Sequence, residues 1–85
     1  MSARTTDEIK AEIAKTAGLL KTLRDEAKVK IHLAKMDIKT TWNELQPKLA
    51  EAEQDATRAA EHASEATLEA MKTTARKLQK VLDSI

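Results

Sequence analysis

The sequence predicts an all-α protein of long amphipathic helices, folded as an antiparallel helical hairpin or coiled coil and assembled into a multi-helix bundle. Three observations lead there. Glycine and proline occur once each, at Gly18 and Pro47, so the chain has almost no turn chemistry. Alanine, leucine, lysine, glutamate, arginine and glutamine dominate, and these are strong helix formers. The apolar residues recur at steps of three and four, and no alternating β-branched run exists to support a strand.

The first helix starts near residue 6. Thr5 and Glu8 spell a capping box, in which each side chain satisfies the other's backbone N–H. Asp7 and Glu8 also place negative charge where the free N–H groups of a helix favour it. From there one row runs Ile9, Ile13, Leu20, Leu23, Ala27, Ile31, Ala34, Ile38, Trp42, Leu45 and Leu49. It continues as Ala52, Ala56, Ala59, Ala63, Ala66 and Ala70. At about 100° per residue these positions share one face. The alanine half permits close backbone approach but buries little area, so it asks for larger side chains from whatever covers it. The last segment rotates to a row of its own: Leu68, Met71, Ala75, Leu78, Leu82 and Ile85. A stripe this wide suits a bundle of three or four helices. A second apolar row, Val29, Leu33 and Met36, lies opposite Ile31 and Ile38, so the stretch 27–38 is apolar on two faces.

Pro47 marks the expected bend. It cannot donate to the carbonyl of Asn43, and inside a helix it costs about 3 kcal/mol. Thr41 with Glu44 spells a second capping box, and Asn43 with Gln46 resembles one. The chain therefore reads as one helical domain over 1–85: a helix over about 6–40, a turn or kink at 40–47, and a helix over about 47–84. The alternatives are one long Pro-kinked helix in an oligomer and a three-helix arrangement broken near Gly18.

Charge supports folding back. Residues 1–42 are net +3, residues 43–70 net −5 and residues 71–85 net +3. An acidic block between two basic ones selects an alignment, although each exposed pair is worth only about 0–1 kcal/mol.

Chemistry finds little footing. One glycine rules out a phosphate-binding loop or a nucleophile elbow. His32 and His62 are thirty residues apart, and His62-x-x-Glu65 reverses the Glu-x-x-His order of helical metal sites, with no second copy. No catalytic residue, metal ligand or cofactor is expected, and the chain does not read as an enzyme. The basic residues from Lys15 to Lys39 are interrupted by Asp25, Glu26 and Asp37 and lack aromatic interleaving, so nucleic acid is a poor fit. No apolar stretch is long enough to span a membrane, and with no targeting signal the default location is cytoplasmic.

The expected function is that of a structural or interaction protein working by helix–helix packing and self-association. The partner is a second copy or another helical protein. The interface candidates are Ile31, Ile38, Trp42, Leu45, Leu49, Leu68, Met71, Leu78 and Leu82, with Val29, Leu33 and Met36 as a second apolar face. The alternative is an amphipathic helical protein that binds peripherally to a membrane or other hydrophobic surface.

Overall fold

A computed structural model describes residues 5–58 and 63–85 of the chain. Among them it is all helix, with no strand. α1 spans Thr6–Lys30, a 3₁₀ turn follows at Ile31–Leu33, α2 spans Met36–Thr57 and α3 spans Glu65–Asp83. The three helices form a bundle in which α1 packs most extensively on α3, then α2 on α3, and α1 least on α2. α2 runs antiparallel to the other two. The body measures 44 × 25 × 17 Å.

α1 begins on the Thr5 capping box. The Glu8 N–H donates to Thr5 Oγ1 at 3.2 Å and the Thr5 N–H to Glu8 Oε1 at 3.4 Å. It buries Ile9, Ile13, Thr16, Leu20, Leu23 and Ala27, the three- and four-residue row of the sequence. α3 begins on Ser64, whose hydroxyl accepts from the Thr67 N–H at 3.1 Å. It buries Leu68, Met71, Thr74, Ala75, Leu78 and Val81. α2 contributes fewer buried residues, Leu45, Leu49 and Ala52, and has no side-chain cap at Lys35.

The bend is not where the proline suggested. The expected turn at 40–47 lies inside α2, and the first helix ends ten residues short of 40, at Lys30. Pro47 is exposed on the outer side of α2, and so is Asn43, the residue whose carbonyl loses its partner. The helix accommodates it because Leu45 and Leu49, which flank it, both still reach the core. The presumed cap residues bond within the helix instead. Thr41 Oγ1 donates to the Asp37 carbonyl, and Gln46 Nε2 donates to the Trp42 carbonyl. The chain turns at Ala34 and Lys35, which are extended, with ψ of 157° and 162°. Nothing local demands this, since neither residue is a helix breaker. What the break achieves is packing: Ile31 and Ile38, on either side of it, both lie against the core.

The long second helix expected over 47–84 is likewise divided. α2 ends at Thr57, with the Arg58 N–H donating to the Gln54 carbonyl at 2.9 Å. A new helix starting at Ser64 takes a new phase, which is why the alanine row does not persist. Ala52 is buried and Ala56 and Ala63 are half-buried, but Ala66 and Ala70 are exposed, and Ala59 lies outside the described residues. The rotated row of Leu68, Met71, Ala75 and Leu78 forms the inner face of α3 instead.

Among the described residues, ion pairs tie α1 to each of the other helices. Arg24 on α1 pairs with Glu53 on α2, and Lys72 on α3 pairs with Glu12 on α1 at 3.6 Å. The first joins the basic early segment to the acidic middle one, as the charge blocks anticipated. All four side chains are partly exposed, so each pair is worth about 0–1 kcal/mol and selects register more than it stabilises.

Candidate functional site

The apolar strip that pointed to a partner is covered by this chain itself. Leu45, Leu49, Leu68, Met71 and Leu78 are buried between the three helices, and Ile31, Ile38, Trp42 and Leu82 are half-buried against the same core. The first five are the interior of this bundle, and the last four lie at its margin. The most exposed large apolar side chains are elsewhere. Val29 and Leu33 are each 71% exposed, Met36 is 76% exposed and Leu19 is 51% exposed. The first three, which form the second apolar face, cluster at the corner where α1 hands over to α2.

Three grooves run between the helices, and their chemistry differs. The α1/α2 groove has an apolar floor of Ala17, Leu20, Leu49 and Ala52, but the Arg24–Glu53 pair crosses it. The α2/α3 groove sets Lys48 and Lys77 among Glu51 and Asp55, a polar seam of mixed sign. The α1/α3 groove is open. Its floor is Leu19, Leu23 and Ala75, with Thr16, and its rim carries Lys15, Lys72 and Arg76. It encloses about 510 Å³. Its lining cations surround an apolar floor; Lys72 pairs with Glu12 of α1 at 3.6 Å, which leaves Lys15 and Arg76 as the rim charges outside any ion pair among the described residues.

The geometry follows from local sequence. Lys15, Leu19 and Leu23 stand at four-residue steps along α1, and Lys72, Ala75, Arg76 and Gln79 at three- and four-residue steps along α3, so each set lines one side of the groove. Sequence reading recorded Leu23 and Ala75 only as seam residues and missed the groove. The α1 half has a visible signal, an apolar Leu19 one position off the main row and flanked four residues back by Lys15. The α3 half has none until α1 and α3 are known to pack side by side.

Among the described residues no group of three His, Cys, Asp or Glu side chains stands close enough to hold a metal ion. His32 is exposed, and His62 lies outside the described residues. No helix among the described residues is long and apolar enough to cross a membrane.

The fold and its open groove define a three-helix bundle with a basic-rimmed apolar face. Comparison with protein-family models, with curated proteins and with solved structures finds no match.

Proposed function

We propose that this chain is a non-enzymatic interaction module that takes an acidic amphipathic helix of another protein into the α1/α3 groove. The observation that carries the reading is the pairing of the half-exposed Leu19 and the buried Leu23 and Ala75 with the cations Lys15 and Arg76 along one open groove, where Lys72 is already paired with Glu12. An amphipathic helix docks by laying its apolar stripe into such a groove. Glutamates flanking that stripe would meet the cationic rim, which speeds encounter and fixes direction more than it adds affinity. The guest becomes a fourth helix on a three-helix body. A second copy of this chain is a poorer occupant, because its own apolar row is already covered by its own helices.

The test is titration of the protein with a designed helical peptide bearing leucines at i, i+3, i+4 and i+7 and glutamates beside them. Saturable binding is expected, weakened at least about tenfold by Leu19→Asp, which sets a like charge and a polar group in the floor. A lysine-flanked peptide of the same stripe should bind more weakly. Equal binding of both peptides, or no effect of Leu19→Asp, rules the groove out.

A further inference from the structure

The groove leaves one apolar feature unused. Val29, Leu33 and Met36 fall within eight residues of chain, span the α1–α2 connection, and line none of the three grooves. They stand exposed at one end of the bundle, its tip. A helical guest needs a concavity, and these three line none of the grooves described, so a surface that yields around exposed side chains suits them better.

Charge narrows the choice of surface. Residues 28–39 hold four lysines and one aspartate, net +3, in a chain whose total is +1; the rest is therefore net −2. Lys30 is held by Glu26 at 3.1 Å, but Lys28, Lys35 and Lys39 enter no ion pair among the described residues. Lys77 and Lys80 of α3 come to the same end, beside Ile38 and Thr41. Asp7, Glu8, Asp55 and Glu65 belong to the helix ends at the far side of the bundle. Asp25, Glu26, Asp37 and Asp83 also lie toward the corner, against Lys28, Lys30, Lys35, Lys39, Lys77 and Lys80, so that end is net +2, whereas Lys10 and Arg58 stand with Asp7, Glu8, Glu12, Asp55 and Glu65 at the other, net −3 among the described residues. A symmetric pairing of two copies through this tip would press like charges together. An anionic surface would attract the tip and repel the other end, so that the bundle stands on it.

We propose that the α1–α2 corner is a peripheral membrane anchor. Val29, Leu33 and Met36 enter the interfacial region of an anionic bilayer while Lys28, Lys35 and Lys39 contact its headgroups. Apolar insertion and lysine contact are the two signals that stable peripheral attachment needs, since either alone gives marginal binding. The proposal is independent of the groove, which lies on the side of the bundle.

The experiment is co-sedimentation of the full chain with phosphatidylcholine vesicles, with and without phosphatidylserine. Binding is expected only when phosphatidylserine is present, and it should fall as salt is raised. Combined Lys28→Gln, Lys35→Gln and Lys39→Gln should weaken it about a hundredfold, at roughly fivefold per lysine. The combination Val29→Ser, Leu33→Ser and Met36→Ser should weaken it at least tenfold. All six positions are exposed or half-buried, and far-UV circular dichroism checks that each variant stays helical. Leu19→Asp should leave vesicle binding unchanged, which separates this result from that of the groove. Equal binding to both vesicle types, no binding to either, or indifference to the apolar triple variant overturns the proposal. So does a loss of the acidic helical peptide, rather than of vesicles, in the corner variants, because the corner would then be a protein site.

Discussion

Leu78 is fully buried on the inner face of α3, and its truncation tests whether the core lies within one chain. Leu78→Ala removes three buried carbons and leaves a cavity between rigid helices, a loss of about 2–5 kcal/mol. An 85-residue domain has in total only about 4–13 kcal/mol of stability. Each kcal/mol moves the melting midpoint of a domain this size by about 4–8 °C. A fall of at least about 8 °C is therefore expected in thermal melts followed by far-UV circular dichroism. Ile38→Ala serves as the internal comparison. Ile38 is only half-buried, so its loss should be nearer 1 kcal/mol, with a correspondingly smaller shift. Because Leu78 is covered by this chain's own helices, the wild-type midpoint should not change when the protein is diluted about a hundredfold. A Leu78→Ala variant that melts within about 2 °C of wild type would refute the packing. A midpoint that climbs with concentration would show that the core is completed between chains.

Three further expectations concern the helices themselves. Gly18 sits mid-α1 without positive φ, and beyond its chain neighbours and the backbone of its own helix no atom lies within 4 Å of where a Cβ would stand, so Gly18→Ala should stabilise by about 0.5–1 kcal/mol in chemical denaturation. Pro47→Ala restores a donor to the Asn43 carbonyl inside α2 and removes the ring clash; the melting midpoint should rise by the equivalent of about 1–3 kcal/mol, and a fall would mean that the proline braces the bundle. Ser64→Ala deletes the cap that starts α3 and should cost about 0.5–2 kcal/mol, with Ser64→Asp restoring most of it in the same denaturation assay.

The helical class and the inner faces were legible because periodicity reports which side of a helix is greasy, and Ile9, Ile13, Leu20, Leu23 and Ala27 needed no knowledge of what covers them. The rotation of the last segment, from Leu68 through Leu78, was visible for the same reason. The breaks were not. Pro47 carries the strongest local signal in the chain, yet it cost the helix less than giving up the packing of Leu45 and Leu49 on either side would have. Ala34 and Lys35 carry no signal, because their extended backbone answers to what lies tens of residues away. The interface candidates were read as facing another chain for a related reason. An apolar row cannot say whether its cover belongs to the same polypeptide. α1 and α3 cover Leu45 and Leu49 of α2, and the large apolar side chains left most exposed are Leu19 and the Val29, Leu33 and Met36 corner. Of these, only the corner had stood out in the sequence.

The joint between α1 and α2 has a mechanical consequence. Ile31–Lys35 contains no residue that prefers to be bent, so its angle is borrowed from the surrounding packing. Loosening that packing frees the angle between Thr6–Lys30 and Met36–Thr57, while the hydrogen bonds inside each helix do not depend on it. The joint is therefore the hinge at which the bundle can change shape without unwinding a helix.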